Sequence, residues 1–141
     1  MILLLLAAIP VGLAILLTAG GGAPRRALAG PPVSFELLGG SSGSAGACGG
    51  AHHYAVYQAG SAIRFQGNVG GSGSSAVKVR LKACVAGAFR PSGDAAGHVG
   101  AGGGYVGSFS APIAGYYFAR AEVRQSDGTV GRSGKRYFQV R

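Results

Sequence analysis

Any chemistry in this chain of 141 residues has to come from a short inventory: two cysteines, three histidines, four carboxylates and thirteen cations. Cys48 with His52 and His53 is the set that could hold a soft divalent metal. It lacks a CxxC pair, and adjacent histidines on a strand point to opposite faces. An even cysteine count in a small exported domain instead predicts a disulfide between Cys48 and Cys84. Closing a loop of about 37 residues stabilises a fold by roughly 3.8 kcal/mol in the chain-entropy treatment. His98, Asp94 and the many serines supply the residue types of a nucleophilic triad, but no nucleophile-elbow motif supports them. Asp94, Glu122 and Asp127 are too dispersed for paired-carboxylate chemistry. Gly102-Gly103-Gly104-Tyr105-Val106-Gly107 fits GxGxxG formally. A dinucleotide site needs that motif between a strand and a helix N-terminus; here it leads into a strand. No catalytic residue, cofactor or metal is assigned, and an enzyme is the least favoured class.

The cations are better organised. Lys78, Arg80 and Lys82 alternate along one stretch, and Arg120 and Arg124 share a side of another with Glu122 between them. Arg64 and Arg136 are expected at the margin of the same face. A net charge of +9 and a pI near 10.3 favour anionic partners. The partners expected are an anionic cell-surface polymer or another surface protein, with no specific nucleic acid. The competing reading is a solvated face with an internal Arg–Glu pair, each contact worth well under about 1 kcal/mol, in a chain whose charge only keeps it soluble. Two placements of Tyr116, Phe118 and Tyr137 stay open: on this outer face, where exposure would mark a protein or glycan contact, or packed in the core.

The elements that must position these residues follow from hydropathy. Residues 2–17 are an almost unbroken apolar run, long for a signal h-region and slightly short for a spanning helix. Ala27-Leu28-Ala29 has the small-x-small form of a signal peptidase site. No cation precedes the run, whereas Arg25 and Arg26 follow it, opposite to the usual placement. Leu28-Ala29-Gly30 resembles a lipobox, but Pro31 stands where the cysteine is required. The expected organisation is a hydrophobic signal or anchor helix at 1–19, a Gly/Ala/Pro linker at 20–32 and a β-domain at 33–141. Export, with an extracytoplasmic location, is expected. Cleavage and retention as a membrane tether both stay open.

After residue 33 the pattern has period two. Val33-Ser34-Phe35-Glu36-Leu37-Leu38 begins it, residues 39–50 read as a flexible Gly/Ser loop, and His53-Tyr54-Ala55-Val56-Tyr57 is a short strand. Ile63, Phe65, Gly67 and Val69 oppose Arg64, Gln66 and Asn68. Val77, Val79 and Leu81 oppose Lys78, Arg80 and Lys82, as in a strand with one buried and one wet face. Residues 89–104 read as loop-rich. Tyr105 to Phe109 is a strand; Tyr117, Ala119, Ala121 and Val123 oppose Phe118, Arg120, Glu122 and Arg124; Ser126-Asp127-Gly128 turns; and residues 135–141 close with Phe138 and Val140 inward. Seven or so strands and no helical period predict an all-β sandwich or small barrel.

Ile63 to Gly67, Val77 to Leu81, Gly104 to Phe109, Pro112 to Ala121 and Ser133 to Val140, in that order, resemble the immunoglobulin-like domains of bacterial secreted and cell-surface proteins. The resemblance covers roughly residues 60–140 and implies a single immunoglobulin-like antiparallel β-sandwich. It places the two basic strands in one sheet and implies a spacer, adhesive or assembly role without catalytic residues. Tryptophan is absent, and the Cys48–Cys84 spacing is too short for the antibody-type bridge. The function expected is a non-enzymatic exported or membrane-tethered surface module with a binding or structural role. The alternative is a self-assembling, pilin-like filament subunit that retains its hydrophobic N-terminus.

Overall fold

The computed structural model describes residues 29–46, 48, 50–71 and 76–141. The expected hydrophobic helix at 1–19 lies outside them, as does the linker up to residue 28. Among the described residues the protein is all-β: β1 (Glu36–Leu38), β2 (Ser41–Gly46), β3 (Ala51–Tyr57), β4 (Ala62–Asn68), β5 (Ala76–Val85), β6 (Ala88–Val99), β7 (Gly104–Ser110), β8 (Gly115–Arg124), β9 (Val130–Arg132) and β10 (Arg136–Val140). The hydrogen-bonded order is β1-β4-β7-β6-β5-β8-β10-β3-β2, with β9 on β8. Every pairing is antiparallel except that of β3 with β10.

This is one curled sheet rather than two separate ones. β6 pairs with β5 along most of its length, then with β7 at His98↔Val106 and Val99↔Tyr105. The curl is deep enough that Phe109 of β7 and Phe138 of β10 approach to 5.5 Å between ring centroids, although β6, β5 and β8 separate them along the sheet. Period-two alternation delivers the core between the two halves. Ile63, Phe65, Val77, Val79, Tyr117, Ala119, Ala121, Val123, Phe138 and Val140 all point inward and are buried. Gly107 occupies the inward position of β7 between Tyr105 and Phe109. A Cβ there would fall 2.3 Å from Cζ of Phe65, so only glycine lets that backbone pass beneath the ring.

Three expectations about local structure change. Residues 41–46, read as loop, form β2, recruited by β3 through pairs such as Ser41↔Val56. The loop-rich stretch after residue 88 is β6, the longest strand. Ala86 and Gly87, both at positive φ, close a two-residue hairpin of the kind that matches strand twist and hand β6 to β5 at Val85↔Ala88. Composition hid both strands, since a Gly/Ala/Ser segment carries no alternation of its own and is held by its partner. The end of the expected linker is also packed. Pro31 is buried, the Gly70 amide donates to the Pro32 carbonyl at 2.8 Å, and Val33 bridges Val69.

A second aromatic cluster sits on the outside of the curl. Tyr116 and Phe118 of β8 and Tyr137 of β10 point outward, the first of the two placements left open by the sequence. Phe118 is nevertheless only 4% exposed and Tyr54 of β3 only 3%, because these rings cover one another. His52 stacks on Tyr137 at 3.7 Å, Tyr54 meets Tyr116 at 5.0 Å, and Phe89 meets Phe118 at 4.9 Å. The Cys48–Cys84 disulfide is formed, with Cα atoms 5.8 Å apart. β10 and β8 lie between β3 and β5, about three interstrand spacings or ~14 Å. The bridge therefore draws the tip of the β2–β3 hairpin over the outer face and onto this cluster.

Replacing both cysteines (Cys48→Ser with Cys84→Ser) is expected to lower stability by roughly 4 kcal/mol in urea unfolding. It should also raise acrylamide quenching of tyrosine fluorescence in the still-folded protein. Unchanged quenching would show that the bridge does not hold the hairpin down.

Candidate anion-binding face

The outer face of β5, β8 and β9 is set out in cross-strand rows. Arg124 lies opposite Val130; Lys78, Glu122 and Arg132 form the next row; Arg80 and Arg120 are directly opposed; Lys82 faces Phe118. Six cations (Lys78, Arg80, Lys82, Arg120, Arg124 and Arg132) thus share a face with two carboxylates, Glu122 and Asp94. Asp94 reaches the face from β6 through the Arg80↔Asp94 pair.

Both carboxylates are engaged. Asp94 takes Arg80 at 3.3 Å and Lys78 at 3.8 Å, and Glu122 takes Arg132 at 3.1 Å and Arg80 at 3.7 Å. Partial burial pushes the Glu122 carboxyl up. The Arg132 hydrogen bond and the charges of Arg132 and Arg80 outweigh that and hold it below the ordinary glutamate value. Arg80 is therefore clamped from both sides, whereas Arg120, directly across from it, has no carboxylate within ion-pair reach among the described residues. Like charges opposed across a strand pair are unfavourable, so this arrangement leaves an attractive potential for an anion at Arg120.

The site is also shaped. Between the partners of Leu81 and Lys82 the register of β6 shifts, leaving Ser92 as the extra residue of a bulge. Beside this bulge lies a groove of about 450 Å³ lined by Arg80, Lys82, Pro91, Asp94, Arg120 and Arg132, among others. Phe118 lies at its end, with the Lys135 amine 4.8 Å and the Lys82 amine 5.8 Å from the ring centroid. The ring already carries cations, so it is not a free stacking platform.

Five of the seven cations singled out from the sequence come together here. The other two do not. Arg64 is on β4, in the opposite half of the curl, between β1 and β7. Arg136 alternates with the buried Phe138 and Val140, so it starts from the inward side of β10, and its Nε donates to the Phe35 carbonyl at 2.9 Å. It is a tie between strand ends, not a margin of the basic face. Arg132, Lys135 and Asp94 were not foreseen. Arg132 belongs to a three-residue strand, and Asp94 sits in the stretch that reads as loop. The aromatic trio is outward but largely covered, with Phe118 buried and Tyr116 and Tyr137 half-buried.

No protein-family model matches the chain, and neither does any curated protein. Fold likenesses are distant. A chain in a structure on T cell specificity and activation by the bacterial superantigen toxic shock syndrome toxin-1 aligns with TM-score 0.46 and 8% identity, over 79% of this chain and 100% of that one. A superoxide reductase (neelaredoxin) from Ignicoccus hospitalis aligns at 0.40 and 11%, over 80% and 83%. The CARDB domain of a Pyrococcus furiosus protein, in complex with di-metal ions, aligns at 0.37 and 15%, over 79% and 89%. Likeness at this level transfers no site from one chain to another. Among the described residues no group of three or more His, Cys, Asp or Glu is placed to hold a metal ion.

Glu122 has a lowered folded pKa, so its contribution is complete above the ordinary glutamate range and is lost as pH falls through the folded value. Glu122→Gln is expected to be less stable than the parent at neutral pH by up to about 1 kcal/mol. In urea titrations the difference should begin to shrink as pH enters the range of an unperturbed glutamate and vanish only below the lowered folded value. A difference independent of pH would mean that the carboxylate is not stabilised by its arginines.

Proposed function

We propose that this protein is a non-enzymatic, exported immunoglobulin-like module that binds an anionic component of the cell surface through the outer face of β5, β8 and β9. The observation that carries the reading is Arg120: a guanidinium opposed in register to another, in a groove whose carboxylates are already committed elsewhere. Export is supported by the disulfide, which persists in oxidising compartments, and by the apolar run at 2–17. The immunoglobulin-like assignment is supported by strand neighbours. β1-β4-β7 and β5-β8-β10 correspond to the A-B-E and C-F-G groupings of such sandwiches, with β6 bridging the halves.

Recognition here is by charge rather than by stacking, because the rings on this face are packed against one another or capped by lysine. That arrangement disfavours single-stranded nucleic acid, whose bases need open aromatic platforms. It suits a polymer or surface bearing repeated phosphate or carboxylate groups.

Arg120→Gln is expected to weaken binding to inorganic polyphosphate by about fivefold at low salt, on the scale of one cation at an anionic surface. Binding should also weaken in the parent as salt approaches ~1 M, where the Debye length is about 3 Å. Isothermal titration of parent and variant reads both effects. Negligible binding by the parent at low salt would discard the proposal.

A further inference from the structure

The basic face begins where the chain joins the domain. Gly30 packs against β9 so closely that a Cβ on it would fall 2.1 Å from the Val130 carbonyl oxygen, and one on Gly131 would fall 2.2 Å from that of Pro31. Val130 is the partner of Arg124, and Arg132 is two residues further on. From that row the cations run away along the strands through Lys78 and Arg132, then Arg80 and Arg120, to Lys82, a length of ~20 Å at 3.4 Å per residue. The apolar run ends at Leu17, which leaves residues 18–29 between it and the domain, including Arg25 and Arg26. Twelve residues reach at most about 43 Å.

We infer that the anionic component is the phospholipid headgroup layer of the membrane in which residues 2–17 are held, and that the domain lies on its side with β5, β8 and β9 against it. This rests on the basic face being a binding surface, as proposed above, and adds what covers it. Charge complementarity favours this occupant, since cations within a Debye length of an anionic leaflet are attracted to it. Geometry favours it as well: a short tether keeps the face at an effective concentration in the millimolar range, so the face need not bind tightly on its own. A headgroup layer also makes no demand for an aromatic platform, which this face does not offer. One apolar segment and one basic patch together make the two-signal attachment that stable membrane association requires.

The sequence provides a direct probe. Of the chain's three lysines, Lys78 and Lys82 belong to this face and Lys135 lies at its end over Phe118, so acetylation of side-chain amines, read by mass spectrometry, reports on it selectively. The full chain is placed in nanodiscs of phosphatidylcholine alone or of phosphatidylcholine with phosphatidylglycerol. Labelling of Lys78 and Lys82 is expected to slow by about fivefold or more in the anionic discs. The protection should be lost near 1 M salt, where screening is nearly complete, and in the outward-facing double variant Arg120→Gln with Arg124→Gln. Equal labelling in the two disc types overturns the inference. If inorganic polyphosphate added to the neutral discs then protects the lysines, only the lipid assignment falls and the anion-binding face stands. If neither ligand protects them, both fall.

Discussion

Alternation along β8 decides where every other part of the molecule goes. Tyr117, Ala119, Ala121 and Val123 point inward and floor the core. Tyr116, Phe118, Arg120, Glu122 and Arg124 point outward. A slip of one residue in its pairing with β5 would drive three charges into the core and three apolar residues or more into water. Burying an unpaired charge costs far more than any surface contact returns, so the register is fixed by what must not be buried as much as by what must.

The outward side of β8 is divided. Near its start, aromatic residues are covered by the β2–β3 hairpin and pinned by the disulfide, which makes a second small core on a face that antiparallel sheets commonly leave wet. Further along, among the described residues no strand or loop covers the face, and the cations begin. The bulge in β6 lies beside the boundary, at the register shift between Leu81 and Lys82. The two regions depend on each other. The disulfide spends the oily surface internally and leaves charge as the main feature the face presents, so a partner there meets an electrostatic surface with little apolar grip. Two carboxylates hold Arg80 and Arg132 in place, which keeps the face ordered without neutralising it.

Much of this was legible in the sequence. Strands with strict alternation, β4, β5 and β8 above all, announced their own inward and outward sides, and the inward side became the core. Arg64 shows the limit. Alternation correctly faces it outward, but only the strand order tells which half of the curl that outside belongs to. Arg136 was legible and misread, because the alternation that turns Phe138 and Val140 inward turns Arg136 the same way. β2 and β6 could not be read, since glycine, alanine and serine carry no side-chain pattern and take their structure from a partner strand. With β6 went Asp94, the counter-charge that makes Arg80 part of a clamp and leaves Arg120 alone. The pairing of Cys48 with Cys84 followed from their number, but what the bridge covers depended on β3 lying beyond β10.

The central claim is a register: Arg80 opposite Arg120, both outward, on a sheet curled until Phe109 meets Phe138. Nuclear Overhauser contacts in the folded protein test it most directly. The account predicts cross-strand backbone contacts linking Arg80 with Arg120 and Lys78 with Glu122, together with ring contacts between Phe109 and Phe138. Backbone contacts shifted by one residue, or no contact between those two rings, would contradict it.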